Sequence, residues 1–243
     1  MRILIVNPNT TASMTRKIGA AARAVAAPGT EIEAVNPDFG PVSIEGYFDE
    51  AFSVPGLLAE MGKARDRDAY IIACFDDTGL DAARCCVDAP VIGIGEAAFH
   101  MASLIAGKFS VVTTLSRSVP AIEHNLRKYG LASRCARVRA SEVPVLDLEK
   151  PGSNARVKIS AEIQEAIKCD RAEAIVLGCA GMADLAKSLS REHGIPVVDG
   201  TAAAVKLCEG LVSLGLKTSK IGGYAPPRGK TYHGIFAGFA PSE

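Results

Sequence analysis

The chain is 243 residues long, 48% of them hydrophobic, with 27 Lys and Arg against 27 Asp and Glu. Zero net charge with scattered cations excludes the basic stripe that nucleic acid or an anionic membrane requires, and the length suits one large α/β domain or two lobes of roughly 100–120 residues. The apolar opening at residues 1–7 is too short for a secretory leader and carries no cleavage site, no uncharged apolar stretch reaches spanning length, and the seven cysteines form an odd set, so a cytoplasmic protein with free thiols is the expectation.

Strands are predicted over residues 3–6, 31–35, 70–74, 91–93, 109–113, 137–139, 174–178 and 196–198. Helices are predicted over 13–25, 50–65, 80–86, 97–105, 120–129, 155–168, 182–192 and 201–214. The two types alternate, and the strands are near-continuous apolar runs. Both features indicate βαβ units and a parallel sheet buried on both faces.

The pattern occurs twice. Ala69-Tyr70-Ile71-Ile72-Ala73-Cys74 and Ala174-Ile175-Val176-Leu177-Gly178-Cys179 each end an apolar run on a cysteine. From Asn7 to Cys74 is 74 − 7 = 67 residues, and from Thr113 to Cys179 is 179 − 113 = 66. Pro90 and Pro196 follow their cysteines by 16 and 17 residues. The predicted fold class is α/β, with two pseudo-symmetric lobes, each a mostly parallel sheet flanked by helices, and an active site in the cleft between them. Residues 1–95 plus 200–225 form the first lobe, 96–199 the second, and 226–243 a C-terminal tail that is irregular or contacts another subunit.

Ligands of open α/β sheets bind beyond the carboxyl ends of the strands, where this reading puts Asn7, Cys74, Thr113 and Cys179. A lone buried cysteine is ordinarily a small core residue, and Cys85, Cys86, Cys135, Cys169 and Cys208 are read that way. Cys74 and Cys179 differ because they repeat at one structural position. Two thiols facing each other across a cleft suit the removal of a proton from one face of a carbon and its return to the other. A helix starting after Thr78 or Gly181 is expected to favour each thiolate, while Asp76 and Asp77 oppose ionisation unless they point away. The polar loop Asn7-Pro8-Asn9-Thr10-Thr11-Ala12-Ser13 is either simple capping or a source of donors for a substrate carbonyl, with Thr113-Thr114 as its counterpart. Small residues at Ala180 and Gly181 allow backbone N–H groups near a substrate oxygen. Residues 40–47 are read as a loop over the cleft.

Other chemistries lack their signatures. No paired C-x-x-C exists for zinc or a redox dithiol. His100, His124, His193 and His233 form no H-E-x-x-H and flank neither cysteine, so they read as surface or capping residues. A cysteine hydrolase wants one thiol and one histidine, whereas this repeat offers two thiols. Gly93-x-Gly95-x-x-Ala98 superficially fits a dinucleotide fingerprint, but the acidic residue expected about 20 positions later is missing. No metal and no cofactor are expected.

These residues carry a family resemblance. The segments Asn7-Pro8-Asn9-Thr10-Thr11, Gly40-Pro41-Val42-Ser43-Ile44-Glu45-Gly46, Ala73-Cys74-Phe75-Asp76-Asp77, Val111-Val112-Thr113-Thr114 and Leu177-Gly178-Cys179-Ala180-Gly181-Met182 resemble the aspartate/glutamate racemase superfamily, and most closely its hydantoin racemase branch. The resemblance covers about residues 1–225. It implies cofactor-independent 1,1-proton transfer with Cys74 and Cys179 as the acid/base pair, and a homo-oligomer. The candidate substrate-binding residues are Asn7, Ile44, Phe75, Asp76, Thr113, Thr114, Ala180 and Gly181. Amino-acid racemases of the superfamily place Asn-Thr and Thr-His after the two cysteines, where this chain has Phe75-Asp76 and Ala180-Gly181. Arylmalonate decarboxylases keep only the second cysteine. The implied substrate is a small molecule, a 5-substituted hydantoin, whose C5 proton is acidified by its neighbouring carbonyl. Allantoin, a carboxylate such as maleate, and a non-catalytic binding or redox-sensing role are the alternatives.

Overall fold

Strands with apolar side chains on both faces need helices on both sides of their sheet. The computed structural model, which describes residues 1–241, meets that need twice. In chain order the elements of the first half are β1 (Arg2–Val6), α1 (Ala12–Arg23), β2 (Glu31–Val35), α2 (Tyr47–Lys63), β3 (Ala69–Ile72), α3 (Leu80–Cys86), β4 (Val91–Gly93) and α4 (Ile94–Ile105). The second half contains β5 (Phe109–Thr113), α5 (Val119–Lys128), β6 (Cys135–Ala140), α6 (Ala155–Asp170), β7 (Ala174–Gly178), α7 (Ala186–His193), β8 (Val197–Asp199) and α8 (Gly200–Ser213). The sheets run β2-β1-β3-β4 and β6-β5-β7-β8, with every neighbouring pair parallel. The second order is the first shifted by four strands, so the duplication in sequence is a duplication in topology.

Register fixes the equivalence residue by residue. Val6 lies opposite Ile72 in the first sheet, and Val112 lies opposite Leu177 in the second. Asn7 and Thr113 are therefore equivalent, and Cys74 and Cys179 each lie two residues beyond the paired position. Alternation then sorts the side chains by face. Ile3, Ile5, Ile71, Val111 and Val176 enter one large cluster between the sheets. Leu4, Val6, Tyr70 and Ile72 pack outward under α2 and α3, as Val112, Ile175 and Leu177 do under α6 and α7. Each buried aliphatic side chain contributes about 1.5–3 kcal/mol. The helices that follow the last strand of each half change sides: α4 packs on β7 and β8, α8 packs on β3 and β4, and the two pack on each other.

Several boundaries differ from the sequence expectation. The strand predicted over 70–74 ends at Ile72, so Cys74 belongs to a loop. The helix predicted to begin at 97 begins at Ile94, directly on the end of β4. The helix predicted over 182–192 is a 3-10 segment, Ala180–Leu185, followed by α7. The helix predicted from 50 begins at Tyr47 and runs through Pro55. α8 begins at Gly200 because Asp199 caps it, accepting hydrogen bonds from the Thr201 and Ala202 N–H groups at 3.1 and 2.8 Å. Among the described residues no helix is long and apolar enough to cross a membrane.

Candidate active site

The carboxyl ends of β1, β3, β5 and β7 converge on one cavity between the halves. Its wall carries both thiols, Cys74 and Cys179, together with Asn7, Ile44, Phe75, Asp76, Thr113, Thr114 and Ala180 from the sequence-derived set. Gly181, the remaining member, lies behind Cys179. Its carbonyl accepts a 2.6 Å hydrogen bond from Lys17 Nζ, and its N–H faces the Cys179 sulfur. The wall also carries Asn9, Met14, Ala73, Ser118, Val145 and Gly178. Asn9 and Met14 had a signal, the polar loop entering α1. Ser118 and Val145 come from loops beyond β5 and β6 that carry no pattern in sequence.

The strand-end polar residues are occupied. Asn7 Nδ2 donates to Asn9 Oδ1 at 2.9 Å and to Thr15 Oγ1 at 3.0 Å, which ties the loop to α1. Thr113 Oγ1 donates to the Gly178 carbonyl at 3.0 Å, locking β5 to the residue before Cys179. Both donors are thus engaged within the protein, where the sequence reading offered them to a substrate oxygen. The Thr114 and Ser118 hydroxyls face the same cavity and make no hydrogen bond as donors among the described residues.

Asp77 settles the glycine pattern that superficially resembled a nucleotide fingerprint. Its backbone is left-handed, with φ 51°, and this turns the carboxylate away from the thiols. It accepts hydrogen bonds from the N–H groups of Gly95 and Glu96 at 2.9 and 2.7 Å, and from Tyr129 Oη at 2.8 Å. Asp77 thus caps α4 from another element, where the helix dipole favours an anion. A side chain at Gly93 or Gly95 would collide with that carboxylate or with the Phe75 carbonyl. Burial outweighs these contacts and raises Asp77 to about 7.

Burial also dominates the thiols. It pushes Cys179 up to about 11, against the Gly181 N–H and Lys17, which lower it. It pushes Cys74 well up as well, reinforced by Asp76 and opposed by Thr78, whose Oγ1 donates to Cys74 Sγ at 3.4 Å. At Cys179 the first turn of the 3-10 segment Ala180–Leu185 does reach the sulfur, through the Gly181 N–H, whereas at Cys74 the Asp76 N–H does so ahead of α3. α3 starts at Leu80, and a 3-10 segment stands where the second helix was predicted. Phe75 packs edge-on against Phe99 of α4, with ring centroids 5.4 Å apart, so the loop bearing the first thiol is anchored to the helix that packs on the second sheet.

Residues 40–46 close over the cavity. Thr10 N–H donates to the Pro41 carbonyl at 3.0 Å and Thr11 Oγ1 to the Val42 carbonyl at 2.7 Å. Glu45 reaches the second half, accepting a 2.9 Å hydrogen bond from the Val145 N–H. Ile44 then projects onto the cavity wall. The enclosed space is about 40 Å³, room for a few water molecules. Among the described residues no group of three or more His, Cys, Asp or Glu is placed to hold a metal ion.

Comparison with known proteins is consistent along the whole chain. Residues 3–208 match the model of the Asp/Glu/Hydantoin racemase family. A hydantoin racemase of Rhizobium meliloti is 50% identical over 96% of this chain and 98% of its own length. A hydantoin racemase of Pseudomonas sp. (strain NS671) is 44% identical over 100% of this chain and 98% of its own. The solved structure of allantoin racemase from Klebsiella pneumoniae superposes with a TM-score of 0.96 at 50% identity, covering 100% of both chains.

Proposed function

The chain belongs to the Asp/Glu/hydantoin racemase family, and we propose that it racemises 5-substituted hydantoins by cofactor-independent 1,1-proton transfer between Cys74 and Cys179. As an isomerase it needs only to move one proton. One observation carries this reading: two thiols at equivalent register positions of duplicated sheets line one cavity. One cysteine, as thiolate, takes the C5 proton and becomes a thiol. The electron pair of the C–H bond moves onto the C4 carbonyl oxygen as an enolate. The other cysteine, as thiol, delivers its proton to the opposite face of C5, and the enolate collapses. The pair has exchanged protonation states, so the reverse reaction begins from the product state.

The wall chemistry supports a neutral ring. No Lys or Arg lines the cavity, and its one ionisable group besides the thiols is the acid Asp76. A carboxylate such as maleate, or a free amino acid, would have no cation to meet. A substituted ring needs more than the roughly 40 Å³ open to water-sized groups, so the cavity widens on binding. Allantoin, a hydantoin carrying a ureido group, is a second reading. It is favoured by the likeness to a solved allantoin racemase and by the polar Asn9, Thr114 and Ser118 on the wall. The proposed enzyme works in the cytoplasm as a homo-oligomer, a reading supported by exposed apolar side chains at Phe48, Phe52, Ile221 and Ile235.

The test is circular dichroism on an enantiopure 5-alkylhydantoin, and separately on enantiopure allantoin, in deuterated buffer without added metal or cofactor. Loss of the signal with one deuterium gained at C5 is the expected result. Turnover of allantoin alone selects the second reading, and retention of signal and C5 proton in both contradicts both.

A further inference from the structure

Among the described residues Asp76 is the only carboxyl on the cavity wall. Its carboxyl oxygens make no hydrogen bond or ion pair with the described residues, and Asp76 is half-buried, open to the cavity. Every titratable group that faces it is an acid or a thiol. Cys74 and Asp77 adjoin it on its own loop, Glu50 faces it from α2, and Cys179 faces it from the second half. Glu50 Oε1 is itself buried without a partner. Lys17 stands near Cys179, but among the described residues no cation acts on Asp76 itself. Crowded acids of this kind share protons, because close like charges resist joint ionisation.

The reaction proposed above needs a donor for the enolate oxygen; the donors of Asn7 and Thr113 are engaged elsewhere, which leaves the Thr114 and Ser118 hydroxyls and Asp76, the group beside Cys74 on the same loop. We infer that Asp76 is a further catalytic residue, which in its protonated form donates a hydrogen bond from its carboxyl hydroxyl to the enolate oxygen as C5 loses its proton. This inference rests on the hydantoin racemase reading. The Asp76 proton is shared with the oxygen and stays on Asp76. The only proton that leaves C5 goes to a cysteine sulfur. A neutral acid suits this task, since it adds no negative charge beside a developing one. Burial, followed by the charges of Glu50 and Asp77, raises Asp76 to about 8, in keeping with that protonation. Above this pH Asp76 ionises, the donor is lost, and its charge opposes both the thiolate and the enolate.

The test is the pH profile of kcat/KM for racemisation and for C5 exchange into deuterated solvent, from about pH 6 to about pH 10. It compares the natural protein with Asp76→Asn, Asp76→Ala and Glu50→Gln, each checked for fold by far-UV circular dichroism. The natural profile rises with thiolate formation and bends over near pH 8. Asp76→Asn keeps an N–H donor that does not titrate, so it retains activity within about tenfold at neutral pH and loses the bend. Asp76→Ala loses about 10²–10³-fold in kcat, the usual effect of removing one such donor. Glu50→Gln moves the bend to lower pH. A natural profile that climbs through pH 8, with the climb abolished in Asp76→Asn, would show an anionic role and overturn the inference. So would an Asp76→Ala protein with unchanged kcat, or a bend unmoved by Glu50→Gln. Absence of C5 exchange in the natural protein would overturn the racemase reading itself, whereas exchange indifferent to all three variants would remove only the role of Asp76.

Discussion

Cys74 and Cys179 stand at one register position in two copies of one sheet, and each sulfur meets the backbone N–H two residues on, of Asp76 and of Gly181, yet the side chains around them differ. Cys74 is approached by Asp76, with Thr78 donating a hydrogen bond to its sulfur. Cys179 faces the Gly181 N–H, with Lys17 of α1 bound to the Gly181 carbonyl and, at 2.9 Å, to Asp184. The backbone preceding the thiols differs too. Ala73 stands where the second half has Gly178, because the Thr113 side chain crosses that position and Asn7 does not. Duplication supplied two thiols on one cavity wall, and the loops after the strands supplied the difference between them. The proposed alternation as acid and base asks for matched positions more than matched surroundings.

The largest expected effect breaks the pair. Cys74→Ser or Cys179→Ser removes one proton-transfer group, and racemisation falls by about 10²–10⁴-fold in either variant. Full activity in one of them, measured by polarimetry, would reduce the pair to a single base. Next comes the asymmetry before the thiols. A methyl group at Gly178 would lie 2.8 Å from Thr113 Cβ, so Gly178→Ala destabilises by about 1–3 kcal/mol in urea unfolding. Ala73→Gly, the converse change in the first half, destabilises by only about 0.5–1 kcal/mol.

Two smaller effects separate the thiols electrostatically. Lys17 lowers the Cys179 pKa, so Lys17→Met raises it and slows alkylation of Cys179 by iodoacetamide about three- to tenfold at a fixed pH below the thiol's pKa. Alkylation of Cys74, followed by mass spectrometry in the same sample, stays unchanged, and Lys17→Arg restores Cys179. Thr78→Val removes the hydroxyl that donates to Cys74 Sγ. Losing about 1 kcal/mol of thiolate stabilisation slows Cys74 alkylation about two- to fivefold and leaves Cys179 alone.

The lobes and the thiols were legible because both rest on local pattern: apolar runs of strand length, and spacings that repeat within one residue. Polar direction was not. Asn7 and Thr113 occupy the strand ends that their positions imply, but their donors turn into the protein. Asp77 shows why. Its role depends on a left-handed backbone and on partners 18 and 19 residues later, at the start of α4. The sequence did carry a trace of it in Gly93-x-Gly95, two glycines that make room for a carboxylate rather than a pyrophosphate. The rise in the thiol pKa values was illegible for a related reason. Burial is a property of the folded cavity, and it outweighs the Asp76 and Gly181 N–H groups that oppose it.

The most direct test of the paired-thiol account is C5 deuterium incorporation into each separate enantiomer by Cys74→Ser and by Cys179→Ser. With one base on each face, each variant retains exchange of the enantiomer whose proton faces its remaining thiol, and the two variants show opposite selectivity. The same selectivity in both, or undiminished exchange of both enantiomers by either, would contradict the account.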